Sequence, residues 1–260
     1  MKKLYVVGNK VSKSLSPSIF NYWFKKYNIK ATYGYLELTE KNFHKKIKEV
    51  LEKKDTLGLN VTIPFKNKII KHLGKIDDHA KKIGAVNCVI NKKNIKGTNT
   101  DWTGYYKTLP KIKKTKNRKV VILGYGGASH AIHYVLKKRG FKDILIFNRS
   151  KKKIKYSNKT KYTKTYNDLE THLSGAFLII NTTPINPMLK KHLRLIKKST
   201  IVSDIVYSPK NTTFLKQFPK NKKIYGISML IEQAKPCFKM WFGKNPSVDK
   251  KMLNTIYKKI

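Results

Sequence analysis

Val120-Val121-Ile122-Leu123 is apolar on every residue, and Gly124-Tyr125-Gly126-Gly127-Ala128-Ser129 follows it directly, opening a helical stretch that runs to about Arg139. An unbroken apolar run is what a parallel strand covered on both faces requires. Glycines at the strand–helix turn permit a tight bend and a close backbone approach, and the free N–H groups of the helix start face an anion. Gly124, Gly126, Gly127 and Ala128 are therefore expected to cradle the pyrophosphate of a dinucleotide, although Ser129 stands where the generic fingerprint has its third glycine. The alternative is a strand–helix turn with no ligand.

Further short apolar runs, Ile144–Phe147, Phe177–Ile180 and Ile201–Ile205, continue the βαβ rhythm of a doubly wound sheet. Before the lysine-rich joint Lys111–Lys119, strand-like Leu4–Gly8, Thr32–Leu38, Leu57–Thr62, Val86–Ile90 and Ile95–Asn99 alternate with helical Pro17–Asn28 and Lys41–Lys54. Ser16, followed by Pro17, has the composition of an N-cap. Ser228–Phe242 and Pro246–Ile260 read as a closing helical pair. The expected fold is α/β in two domains. Residues 1–104 plus 229–260 form an N-terminal α/β domain on which the C-terminal helices pack back, and residues 105–228 form a Rossmann-like domain.

The second strand of that Rossmann pattern ends in Asn148-Arg149-Ser150, followed by Lys151, Lys152 and Lys153. An enzyme selecting NAD usually places an acidic residue there to bond the ribose 2′-hydroxyl, whereas an arginine clamps a 2′-phosphate. Asn148, Arg149, Ser150 and Lys153 are accordingly expected to favour NADP. Only four of the 58 basic residues are arginine, so one standing at this point is informative.

The formal net charge of +44 invites a nucleic-acid reading. The lysines are nevertheless spread along the whole chain, and arginine, the better phosphate and base fork, is scarce. Compositional drift on solvated faces explains the charge better than a polyanion-binding function. No apolar stretch approaches the roughly 20 residues a membrane helix needs. Cys88 and Cys237 stand in no metal or redox spacing, which argues against a disulfide scaffold or zinc ribbon. A cytoplasmic protein is expected, a monomer or homodimer with a small-molecule substrate and without specific nucleic-acid or membrane partners. His130 and His133, three apart on a helix, lack an acidic or cysteine partner in sequence reach, so no metal is expected.

Four motifs of the first half need a joint explanation: Ser12-Lys13-Ser14-Leu15-Ser16-Pro17, Asn60-Val61-Thr62-Ile63-Pro64-Phe65-Lys66, Gly84-Ala85-Val86-Asn87 and Gly97-Thr98-Asn99-Thr100-Asp101-Trp102-Thr103-Gly104. Singly, each passes for a cap or a turn. Together they set hydroxyls, amides, one lysine and one aspartate at loop ends suited to a polyhydroxylated acid. Asp101 is one of only 14 acidic residues.

In this order, and followed by the NADP-type turn, the set resembles the shikimate dehydrogenase family over essentially the whole chain. The resemblance implies reversible NADP-dependent reduction of 3-dehydroshikimate to shikimate, on the path to chorismate and the aromatic amino acids. It implies that Ser14, Ser16 and the Tyr207 hydroxyl hold the substrate carboxylate, and that Thr62, Asn87 and Gln233 bind ring hydroxyls. Lys66 and Asp101 would flank the carbon that exchanges hydride. Thr182, in Asn181-Thr182-Thr183-Pro184, would lie beside the cofactor, and Gly226 and Met229 against the nicotinamide. Phe20 replaces the family's usual histidine before Asn21, His130 a common arginine, Ser228 a common glycine and Cys88 a common threonine. A sister enzyme accepting quinate or NAD stays open, as does, more distantly, a basic nucleic-acid-binding protein on a Rossmann scaffold.

Overall fold

The computed structural model describes residues 1–113, 115–154 and 161–260; Lys114, within the lysine-rich joint, falls outside them. The chain divides into two compact units, Met1–Thr103 with Ile231–Ile260, and Gly104–Leu230.

The first unit begins with β1 (Lys2–Gly8), α1 (Ser16–Lys26), β2 (Ala31–Glu37), α2 (Phe43–Glu52) and β3 (Thr56–Val61). It continues through a short 3-10 turn to β4 (Lys75–Ile76), α3 (Asp78–Ile83), β5 (Cys88–Asn91), β6 (Ile95–Thr98) and the first turn of α4 (Asp101–Thr108). The strands lie in the order β2-β1-β3-β5-β6-β4. β1 runs parallel to β2 and β3, β5 is antiparallel to β3, and β6 is antiparallel to β5. This topology decides where the motifs go. The C-terminal ends of β1, β3 and β6 and the N-terminal end of β5 share one edge of the sheet, so all four motifs of the first half open there.

Two starts near the motif edge, those of α1 and β5, depart from the sequence reading. Ser16 is the first residue of α1, with Leu15 as the capping position, and the hydroxyl that meets its N–H is Ser14 Oγ at 3.3 Å. Strand β5 starts at Cys88, not Val86, because Val86 N–H donates to the Lys66 carbonyl at 2.8 Å and draws that segment toward the loop after β3.

The second unit is built from β7 (Lys119–Leu123), α5 (Gly127–Lys138), β8 (Ile144–Asn148), β9 (Lys164–Thr165), α6 (Leu169–Leu173) and β10 (Ala176–Asn181). It continues with α7 (Lys190–Leu193), β11 (Ile201–Asp204), α8 (Thr213–Lys216), β12 (Lys223–Tyr225) and the start of α9 (Gly226–Phe242). Among the described residues these strands pair in parallel, in the order β12-β11-β10-β7-β8-β9, with one isolated antiparallel bridge between Lys153 and Tyr162. Numbered from β7, this is the doubly wound order whose switch point, here between β7 and β10, receives nucleotides. Val120, Val121, Ile122 and Leu123 are wholly buried, as an apolar run covered on both faces must be.

The end of α9 and α10 (Lys250–Tyr257) return to the first unit. Trp241 packs on Gly58, where a Cβ would lie 2.2 Å from the indole nitrogen, and donates from Nε1 to the Val89 carbonyl at 3.0 Å. Phe238 meets Trp23 edge-on at 5.3 Å. The helical reading of Pro246–Ile260 narrows to α10, whose N-cap Asp249 accepts from Met252 N–H at 2.8 Å.

Candidate active site

At the motif edge of the first sheet, Lys66 and Asp101 come together. Lys66 Nζ donates to Asp101 Oδ2, and their side chains are only 10% and 8% exposed. The other carboxylate oxygen accepts from Asn87 Nδ2 at 2.8 Å. The same amide nitrogen lies 3.0 Å from Thr100 Oγ1 and 3.1 Å from Gln233 Oε1, while Asn87 Oδ1 takes the Thr100 N–H at 2.6 Å. Asp101 opens α4, and Asn99 fixes that start by accepting from the Asp101 N–H at 3.1 Å and donating to the Ala85 carbonyl at 2.9 Å. A buried lysine thus faces a carboxylate whose two oxygens are separately engaged, a geometry able to hold an ammonium oriented for proton donation.

Ser14 is half-buried on the loop after β1, and Ser16 is buried at the start of α1. That loop is strapped to the end of β2: Glu37 Oε1 accepts from Val11 N–H at 2.7 Å and Ser12 N–H at 2.8 Å, and Tyr35 OH donates to the Ser14 carbonyl at 3.3 Å. These N–H donors hold the Glu37 carboxyl below its ordinary range. Thr62, half-buried after β3, faces the same loop: a Cβ on Gly8 would lie 2.6 Å from both Thr62 Cγ2 and Val11 Cγ1. Ser14, Ser16, Thr62, Lys66, Asn87, Asp101 and Gln233 all belong to the first unit. Tyr207 does not; it stands half-buried after β11 in the second.

In the second unit, Gly124 turns the chain at φ +97°, and a Cβ there would lie 2.7 Å from Thr182 Oγ1. Thr182 in turn bonds the Leu123 carbonyl through both N–H, at 2.8 Å, and Oγ1, at 2.7 Å, closing the loop after β10 against the glycine turn. Gly126, the N-cap of α5, has nothing within 4 Å of where a Cβ would be. Beside it, Ser129 Oγ is buried without a hydrogen-bond partner. An open cradle, an unanswered buried hydroxyl and the free N–H groups of a helix start fit a pyrophosphate. Arg149, Ser150 and Lys153 are exposed beyond β8, and Asn148 Nδ2 donates to the Ser150 carbonyl at 3.0 Å. Gly226 lies against β11's exit, where a Cβ would lie 2.4 Å from the Ile205 carbonyl oxygen; Met229 is buried on α9.

Sequence reading missed several supporting residues. Asp204, 1% exposed, accepts from Val206 N–H at 3.0 Å, Asn181 Nδ2 at 3.2 Å and Thr212 Oγ1 at 2.6 Å, and burial raises its pKa. It joins the loop carrying Thr182 to the one carrying Tyr207. Asn99 and Thr100 lay inside a recognised motif, yet only the fold shows what they hold. Cys237 Sγ lies 3.2 Å from Thr100 Oγ1 and from Asn60 Nδ2. Among the described residues, no three His, Cys, Asp or Glu side chains are grouped to hold a metal ion, and no helix is long and apolar enough to cross a membrane.

A chain that carries both a doubly wound parallel sheet with a glycine turn and an α/β unit presenting a buried lysine–aspartate pair has the make-up of a two-domain nicotinamide-dependent oxidoreductase. The family description "Shikimate dehydrogenase substrate binding domain" matches residues 6–89, and "Shikimate / quinate 5-dehydrogenase" matches residues 107–213. The shikimate dehydrogenase (NADP(+)) of Staphylococcus haemolyticus is 38% identical over 255 residues, covering 95% of this chain and 94% of that one. The solved shikimate dehydrogenase of Aquifex aeolicus is 30% identical with a TM-score of 0.83, covering 100% and 97% of the two chains. A solved shikimate dehydrogenase in complex with NADP+ is likewise 30% identical, with a TM-score of 0.82 and coverage of 100% and 96%. The chain belongs to the shikimate dehydrogenase family, NADP-dependent enzymes of aromatic biosynthesis.

Proposed function

We propose that Lys66 and Asp101 carry the proton chemistry as the chain interconverts 3-dehydroshikimate and shikimate. The single observation behind this is the buried Lys66–Asp101 contact with Asn87 on the second carboxylate oxygen. Bound NADPH supplies the hydride. Charge then grows on the ketone oxygen, and an ammonium at that oxygen stabilises it and delivers the proton. Asp101 keeps the ammonium aimed and accepts from the neighbouring substrate hydroxyl. Thr62, Asn87 and Gln233 pair with ring hydroxyls, and such pairing rejects analogues lacking them, because the partners would be left buried and unbonded. Ser14 and Ser16 meet the substrate carboxylate with hydroxyl bonds worth about 1.5–3 kcal/mol each when charge-assisted, and the Tyr207 hydroxyl is a further donor proposed for it.

On the second unit, Gly124, Gly126, Gly127 and Ala128 hold the pyrophosphate and Asn148, Arg149, Ser150 and Lys153 the 2′-phosphate, with Thr182, Gly226 and Met229 toward the nicotinamide. The enzyme acts in the cytoplasm as a monomer or homodimer without membrane partners, and the dispersion of its lysines along the sequence supports a chain without a nucleic-acid partner. A coupled absorbance assay offering shikimate and quinate, each with NADP and NAD, tests the proposal. Turnover confined to shikimate with NADP is expected; preference for quinate or NAD would overturn the substrate or cofactor assignment.

A further inference from the structure

We infer that Tyr33 is a positioning residue for the reaction, acting through Asn60 on Asn87; the inference rests on the reading of the Lys66 site given above. Tyr33, 3% exposed on β2, donates from its hydroxyl to Asn60 Oδ1 at 2.7 Å. Asn60, 6% exposed at the end of β3, donates from Nδ2 to the Asn87 carbonyl at 3.1 Å, with Cys237 Sγ 3.2 Å away. Asn87 O also receives the Val61 N–H at 2.9 Å, so two donors fix the peptide whose side chain reaches Asp101.

The tyrosine ring is itself tightly held. Phe20 stacks on it at 4.4 Å and 2° between planes. Asn21 bonds the Tyr33 backbone in both directions, Nδ2 to the carbonyl at 2.9 Å and Oδ1 from the N–H at 3.0 Å. A side chain so constrained delivers its hydroxyl to one place.

An asparagine amide has two ends of similar shape and opposite chemistry, so its partners decide which way it faces. Without the Tyr33 hydroxyl, Asn60 Oδ1 is a buried acceptor lacking that donor, a costly state. With one of its anchors gone the amide swings more freely, and its bond to the Asn87 carbonyl loosens. Asn87 then holds Asp101 and a ring hydroxyl less firmly, although nothing touching the substrate has been removed.

The test is Tyr33→Phe, which keeps the ring and its packing, beside Tyr27→Phe. Tyr27 OH also bonds within the first unit, accepting from Ser247 N–H at 2.8 Å, a bond that involves none of Tyr33, Asn60 and Asn87. Tyr33→Phe is expected to raise the KM for shikimate about fivefold, the equivalent of one ordinary hydrogen bond, and to lower kcat, with the KM for NADP unchanged. Tyr27→Phe is expected to move none of the three. Asn60→Ala should raise the shikimate KM at least as much, and adding Tyr33→Phe to it should change nothing further, as for residues acting in series. A Tyr33→Phe enzyme that melts earlier but keeps the wild-type shikimate KM would overturn the inference, leaving a purely structural tyrosine; so would full additivity in the double variant. Wild-type protein without shikimate turnover would instead overturn the functional reading beneath it.

Discussion

Lys66 and Asp101, 35 residues apart in sequence, share a buried hydrogen bond. Ion pairs taken out of water gain little net stability, because desolvation offsets most of the attraction. The first unit surrounds this one with Asn87, Asn99 and Thr100, which fix its orientation. Such a pair is better understood through what an aimed ammonium does for a developing oxyanion.

Replacing Lys66 by Ala should therefore lower kcat by roughly 10²–10⁴, the usual contribution of a positioned general acid. NADP binding, followed by fluorescence titration, should stay within about twofold of wild type, since the glycine turn belongs to the other unit. Near-normal turnover would remove lysine from the chemistry.

What the sequence made legible follows from how each signal is encoded. Val120–Leu123 read as a buried parallel strand because full burial imposes an apolar residue at every position. β4 and β9, of two residues each, carry no period to read. Ser16 has the composition of a cap yet is the first residue of α1, after Leu15, because the loop geometry and not the residue type decides where the helix starts. The four loop-end motifs stood out only as a set, through resemblance, since each alone passes for a turn. Tyr33 was invisible. It sits opposite Leu4 and Asn60 opposite Val6 in the ladders flanking β1, so their meeting depends on the register of three strands.

Arg149 offers a test of cofactor choice. It is exposed beyond β8, at the end of the strand that flanks the glycine-turn strand. If Arg149 clamps the 2′-phosphate, as proposed, Arg149→Asp exchanges that clamp for a repelling charge and a ribose acceptor. Affinity for NADP should fall about 10–100-fold, as expected for losing a charge-assisted bond, while NAD holds or improves. An unchanged ratio of KM values for the two cofactors would locate the phosphate elsewhere.

Asp249 makes attachment of the C-terminal helix sensitive to acid. Its carboxylate accepts from Lys26 Nζ, from the Met252 N–H and from Tyr22 OH, and these hold its pKa at about 2, below the ordinary value of 3.8. A depressed folded-state pKa contributes stability above the unfolded value and loses it as pH falls through the folded one. Protection of α10 amides from hydrogen exchange should thus persist at pH 4 and fade toward about pH 2. In Asp249→Ala the protection should be weaker at neutral pH, with little of this acid dependence. Identical acid profiles for the two proteins would show that other contacts hold the helix.

Gly124 and Gly126, two residues apart, should fail in different ways when given a methyl group. At Gly124 the backbone sits at φ +97° and the methyl would collide with Thr182 Oγ1 and Thr183 Cγ2. Gly124→Ala should therefore lower the melting temperature as well as NADP affinity, with a left-handed alanine alone costing on the order of 1 kcal/mol. At Gly126 the φ of −111° suits any residue, and the methyl would meet nothing within 4 Å. Gly126→Ala should melt like wild type, or slightly above it, because alanine restricts the unfolded chain. If that open space is where a pyrophosphate approaches the backbone, the same variant should bind NADP at least about tenfold more weakly, with the methyl occupying the anion's contact distance. A Gly126→Ala protein with wild-type stability and wild-type NADP affinity would mean that the space beside α5 is ordinary solvent and that the cofactor is held by other groups.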